Sequence, residues 1–105
     1  MALSHVTEAG VRVRKVTVAG DTPAIRFESR APGKHPVALL AHGATASKET
    51  LFRYGEGLAA NGFDCFAIDS PGHGESRRRF SIADVASNPQ AVARELGGVD
   101  VFIGH

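Results

Sequence analysis

Three short stretches of this chain are almost wholly apolar, and they constrain its fold more than any other feature. Residues 37–41 read V-A-L-L-A, residues 63–68 read F-D-C-F-A-I, and residues 99–103 read V-D-V-F-I. Predominantly apolar runs of this length, rich in aliphatic, β-branched and aromatic residues, are typical of strands covered on both faces, as in parallel sheets. The third run, carried by Val99, Val101, Phe102 and Ile103, leads directly into Gly104 and His105.

Segments of helical length separate the three runs. Over residues 48–61, Leu51, Phe52, Gly55, Leu58 and Ala59 form one apolar stripe. Ser47 is the expected N-cap, Glu49 sits in the first turn, and Asn61-Gly62 is a stop signal. Gly55 and Gly57 each weaken the helix by about 1 kcal/mol, so packing must supply its stability. Small residues there would also let the helix lie close to a sheet. Residues 81–86 are read as one helical turn. A second helix is expected to open at Asn88, with Pro89 at its first position, and to run to Leu96 before Gly97-Gly98 ends it.

The N-terminal third has a different pattern. Val11, Val13, Val16 and Val18 alternate with polar residues, but the step from Val13 to Val16 breaks period two and predicts a bulge near Arg14-Lys15. Residues 24–28 (A-I-R-F-E) alternate again after Gly20-Asp21, so the two segments form an antiparallel hairpin. The expected fold class is α/β, in the order β-β-β-α-β-α-β: a hairpin, then parallel strands joined by right-handed helical crossovers.

At 105 residues the chain is at most one domain. Apolar residues make up 43% and charged residues 22%, which is a globular rather than a disordered balance. A net charge of +1 gives no footprint for nucleic acid or an anionic membrane. The single cysteine, Cys65, cannot form an internal disulfide and lies in an apolar run, where an inert buried thiol is expected. The N-terminus lacks a basic segment followed by an apolar one, and no run is long enough to span a bilayer. A cytoplasmic location is expected.

Open parallel sheets place their sites beyond the carboxyl ends of the strands. Three apolar runs here end in polar or glycine-rich residues: His42-Gly43, Asp69, and Gly104-His105. Gly72-His73-Gly74 does not read as a dinucleotide fingerprint, because Arg77 stands where the third glycine belongs, and no Gly-Lys-Ser/Thr of a P-loop follows. A metal set of His42, Asp69, His73 and His105 is chemically conceivable, but no paired ligand spacing supports it, and neither metal nor cofactor is expected. Arg77, Arg78 and Arg79 read as a solvated loop.

Together, V-A-L-L-A-H-G-A-T, F-A-I-D-S-P-G-H-G-E-S and V-D-V-F-I-G-H resemble the α/β-hydrolase superfamily. The resemblance covers nearly the whole chain and implies the N-terminal part of a single hydrolase domain. It implies that His42, Gly43 and Ala44 belong to an oxyanion loop, with the Ala44 N–H as a donor worth roughly 2.7–4 kcal/mol when preorganised. Asp69, Gly72, His73, Gly74 and Ser76 match the family's D-x-P-G-H-G-x-S loop, and His42, His73 and Ser76 take structural roles there. Gly104 and His105 match the start of the turn that carries the nucleophile, so the nucleophile is expected just after His105 and no catalytic residue within the chain. The implied reaction of the complete enzyme is hydrolysis of a small carboxylic ester or related acyl bond, with the isolated chain inactive. Asp or Cys after His105 would redirect the chemistry. The alternative is a non-catalytic fragment that pairs through an exposed apolar edge at residues 99–103.

Overall fold

The computed structural model describes residues 4–42, 46–70, 72–77 and 82–104. Two of the apolar runs become interior strands, β4 (Val37–Ala41) and β5 (Asp64–Ile68), paired in parallel from Val37–Asp64 to Ala41–Ile68. Both are buried on both faces, as their composition requires. In β4, Ala38 and Leu40 face one hydrophobic cluster, while Leu39 and Ala41 face another across the sheet.

Around this pair the sheet has six strands in the order β1-β2-β3-β5-β4-β6. β2 (Arg12–Val18) and β3 (Thr22–Glu28) form the expected hairpin, and β3 runs antiparallel to β5. β6 (Val101–Gly104) lies parallel to β4 at the far side. A strand the sequence reading lacks, β1 (Ser4–Val6), pairs antiparallel with β2, so the chain opens with three antiparallel strands rather than a two-stranded hairpin. Three residues with a single aliphatic side chain, Val6, carry no alternation from which a strand can be read.

The bulge expected near Arg14-Lys15 is absent. Pairing between β2 and β3 runs residue for residue from Arg12–Glu28 to Val18–Thr22. The apolar pattern changes phase because Val13 joins the cluster on one face while Val16 and Val18 join the cluster on the other. A strand that supplies both layers has no single period-two stripe.

One face is covered by a 3₁₀ turn (Lys48–Leu51) that continues into α1 (Phe52–Ala60). The expected stripe packs inward, with Leu51, Gly55 and Ala59 buried and Phe52 and Leu58 against the same cluster. Gly55 is where the helix approaches the sheet most closely, since a Cβ there would collide with the fully buried Phe27 ring. Gly57 has open space around it and plays no such part. Ser47 makes no side-chain cap; its carbonyl instead accepts the Thr50 N–H at 3.1 Å and the Thr50 hydroxyl at 2.6 Å.

The other face is covered by α2 (Ile82–Glu95), a continuous helix with Pro89 inside it, not a turn followed by a helix opening at Asn88. Proline removes one helical N–H, and tertiary contacts hold the helix through it. Asn88 is buried, its Oδ1 accepting the Thr22 hydroxyl at 3.1 Å, and Val92 is fully buried one turn later. The Glu95 carboxylate accepts the Ala19 N–H and ties the helix end to the β2–β3 turn.

β6 begins two residues later than the apolar run. Asp100 precedes it and brackets Val37, donating its N–H to the Val37 carbonyl and accepting the Val37 N–H on Oδ2, each at 2.9 Å. Gly104 is the last residue of β6. The run reads as a strand covered on both faces, yet Phe102 is 54% and Ile103 36% exposed, because β4 is its only partner among the described residues. No helix among the described residues is long and apolar enough to cross a membrane.

Candidate active site

The register of the sheet places three strand ends side by side. Ala41 pairs with Ile68 on one side and with Gly104 on the other. His42 and Asp69 therefore leave the sheet at one edge, beside the end of β6, as expected from polar residues after buried strands. Gly43, Ala44 and His105 of the expected site lie outside the described residues, as do Pro71, Arg78 and Arg79.

His42 is 7% exposed, and its Nε2 lies 3.0 Å from the Ser70 main-chain nitrogen. A main-chain N–H only donates, so Nε2 accepts, and the neutral imidazole carries its proton on Nδ1. The Nε2 to Asp69 Oδ1 separation of 4.0 Å is then no ion pair but the spacing of two acceptors. His42 thus joins the loop after β4 to the loop after β5. The His73 ring stands 5.1 Å from the His42 ring, centroid to centroid.

Asp69 is the acceptor hub of this edge. It is 1% exposed; Oδ1 accepts the Lys48 main-chain N–H at 2.8 Å and Oδ2 accepts the Glu75 N–H at 2.9 Å. Its own N–H donates to the Pro23 carbonyl at 2.9 Å, which carries the link back to β3. The loop folds over this carboxylate in two tight turns, His73 N–H to Ser70 O and Ser76 N–H to His73 O, each 3.0 Å. Gly72 has φ +81° and Gly74 φ +52°, and a Cβ on Gly74 would collide with the Asp69 carboxyl group. The second glycine of G-H-G is there because the backbone lies directly on a buried charge.

The counter-charge comes from Lys48, a residue the sequence reading did not single out. It is 1% exposed, and its Nζ donates to Asp69 Oδ2 at 2.6 Å, Glu75 Oε1 at 2.6 Å and Glu49 Oε2 at 3.0 Å. Burial pushes the ammonium pKa down, but hydrogen bonds to Asp69, Glu75 and Glu49 outweigh it and leave the group well above its ordinary value. Glu75 is held below the usual carboxylate range by Lys48 and then Lys15, whose Nζ lies 3.1 Å from the same oxygen. Glu49 is raised by burial but lowered further by Lys48 and Ser47. The sequence did carry one signal: a cation at the first position of a helical segment opposes the backbone dipole. An open groove of about 610 Å³, lined in part by Lys15, Thr17, Lys48, Glu75 and Arg77, runs beside this network.

Cys65, the second residue of β5, is fully buried and its thiol is pushed up to about 12, mainly by burial. A thiol so placed stays protonated near neutral pH. Among the described residues no group of three or more His, Cys, Asp or Glu side chains is placed to hold a metal ion.

A six-stranded mixed sheet with helices on both faces, and three strand ends converging on one edge, matches what comparison with known proteins finds. A sequence model of the alpha/beta hydrolase family matches residues 38–105, and the chain belongs to that family. A search of curated proteins finds no match. Among solved structures it is similar to an epoxide hydrolase from an endophytic Streptomyces (23% identity, TM-score 0.65), covering 100% of this chain and 29% of that one. It is similar to TT1662 from Thermus thermophilus at 27% identity and TM-score 0.68, covering 90% and 46%. A membrane phospholipase A described as a bacterial virulence factor gives 24% identity and TM-score 0.66, covering 92% and 32%. The chain thus spans less than half the length of these proteins.

Proposed function

We propose that this chain forms the N-terminal half of a hydrolase site in an enzyme that cleaves a small carboxylic ester or related acyl bond. In this reading the Ala44 N–H, just past His42-Gly43, is one donor to the oxyanion of a tetrahedral intermediate. The residue after His105 is the nucleophile. Asp69, Gly72, His73, Gly74 and Ser76 hold the neighbouring loop in place.

The observation that carries the reading is the row Gly104–Ala41–Ile68, which brings the exits of β6, β4 and β5 to one edge. A nucleophile leaving β6 would then stand next to donors leaving β4, the geometry acyl transfer requires. His42 is not the base, because its Nε2 lone pair is already taken by the Ser70 N–H. The epoxide hydrolase likeness lies at an identity that speaks for the fold alone.

The test is hydrolysis of p-nitrophenyl acetate by the complete enzyme carrying this chain. Substituting the residue after His105 should abolish turnover, and the isolated 105-residue chain should show none. Turnover by the isolated chain that survives substitution of every serine would overturn the assignment.

A second reading is favoured by the exposure of Phe102 and Ile103 on β6. The 105-residue polypeptide would then act as an interaction fragment that pairs with a second copy along this strand.

A further inference from the structure

We propose that Lys48 is a positioning residue that locks the loop after β4 and the loop after β5 into one unit at the edge where the strands end. The proposal rests on the hydrolase reading above and adds a residue to it. Lys48 closes a ring with Asp69: its main-chain N–H meets Oδ1 at 2.8 Å and its ammonium meets Oδ2 at 2.6 Å. The carboxylate is thereby held along both oxygens, and the start of the 3₁₀ turn cannot slide relative to the end of β5. Oδ2 also accepts the Glu75 N–H, and Lys48 Nζ grips the Glu75 side chain at 2.6 Å. The far end of the Asp69–Ser76 loop is fixed by the same two residues.

His42 supplies the other fastening, through Ser70. The chain is therefore tied to one dipeptide, Asp69-Ser70, at His42 just after β4 and again at Lys48. A buried ion pair is a poor source of net stability, because desolvation cancels most of its attraction, so fold stability alone does not explain a fully buried lysine here. What the pair provides is direction. Its short charged hydrogen bonds tolerate little displacement, and catalytic geometry needs that tolerance to be small.

Three proteins are compared with wild type: Lys48→Met, Lys48→Arg, and Gly55→Ala as a control that overpacks the contact between α1 and Phe27, away from the loops. In the 105-residue chain, hydrogen exchange is read by mass spectrometry over residues 46–51 and 69–77. Lys48→Met should raise exchange there about tenfold or more relative to β4 and β5, and Gly55→Ala should not. In the complete enzyme, Lys48→Met should lower kcat with p-nitrophenyl acetate by about tenfold to a hundredfold, with KM changed by less than about twofold. Lys48→Arg should recover loop protection and most of kcat.

Unchanged exchange in Lys48→Met would overturn the proposal. So would a kcat loss no larger than that of Gly55→Ala at matched thermal stability, since Lys48 would then be structural only. A wild-type enzyme without esterase activity would sink the ester reading and leave the exchange measurement to decide the clamp.

Discussion

Gly55 and Gly57 stand two residues apart in α1; Gly55 lies on the apolar stripe and Gly57 does not, but helix propensity alone treats them alike. Helix propensity favours alanine over glycine by about 1 kcal/mol at either position. At Gly55 that gain is outweighed, because the new Cβ would meet the Phe27 ring, and Phe27 is fully buried and held edge-on against Phe52 at 5.2 Å. Overpacking of this kind costs about 1–3 kcal/mol, so Gly55→Ala should lower stability by roughly 1 kcal/mol net. Gly57→Ala meets no atom within 4 Å and should raise it by about 0.5–1 kcal/mol. Urea unfolding of the two variants checks both signs; equal effects would refute the close approach at Gly55. His35 offers a residue-level test by pH. Its Nε2 lies 2.6 Å from the Ala31 carbonyl and its Nδ1 3.3 Å from Asp64 Oδ1. The carbonyl first, and Asp64 with it, raise the imidazole above its ordinary 6.5. A raised value means this contact contributes fully below pH 6.5 and is lost as pH rises through the folded-state value. An NMR titration should show His35 titrating above free histidine, and Asp64→Asn should bring it down. A His35 midpoint at or below that of free histidine would contradict the contact.

At the scale of elements, α2 shows where local signals lose to packing. Asn88-Pro89 is a helix start by every local rule, yet the helix runs through it because Asn88 points inward to Thr22 and Val92 fills the layer beyond. The Thr22–Asn88 bond is buried at 3.1 Å, and the Asn88 Nδ2 has no partner among the described residues. Asn88→Ala should cost about 1–3 kcal/mol, since the Thr22 hydroxyl is left buried without its acceptor. The double variant Thr22→Val, Asn88→Leu, which removes both polar groups, should recover most of that loss in thermal unfolding. If it is no better than the single variant, the hydrogen bond is not the cause. The same contest explains what the sequence reveals elsewhere. β4 and β5 are legible because burial on both faces demands runs that are almost wholly apolar, and the loop after β5 is legible because its glycines and Asp69 are fixed by close contact. The regular register at Arg14-Lys15 is not legible in the sequence, because the valines of β2 serve two layers and their spacing mimics an inserted residue. Lys48 was invisible as a site residue because a lysine is ordinarily solvated. Only the three-dimensional meeting of Asp69, Glu75 and Glu49 makes its burial tolerable.

Taken as a whole molecule, the chain is as compact as a domain of its length should be, with a radius of gyration of 12.9 Å against about 13 Å for 100 residues. Compactness does not close its surface. β6 pairs with β4 alone among the described residues, and its four-residue sequence V-F-I-G carries none of the charges or prolines that blunt natural edge strands. Phe102, in register with Leu39, borders an apolar groove of about 320 Å³ that Pro89, Ala93 and Val99 also line. Ile103 is exposed on the opposite face of the same strand. An open ladder of N–H and C=O groups flanked by apolar side chains on both faces is suited to a second copy of itself. The 105-residue polypeptide is therefore expected to self-associate, with sedimentation coefficients that rise with concentration and with binding of a hydrophobic dye at the lowest concentrations. Phe102→Lys and Ile103→Lys each place a charge on the edge and should return the chain to monomer. A wild-type sedimentation coefficient that stays monomeric across the concentration series would remove the interaction-fragment reading. The hydrolase reading would be untouched, because it depends on where β4, β5 and β6 end and not on what lies along the open side of β6.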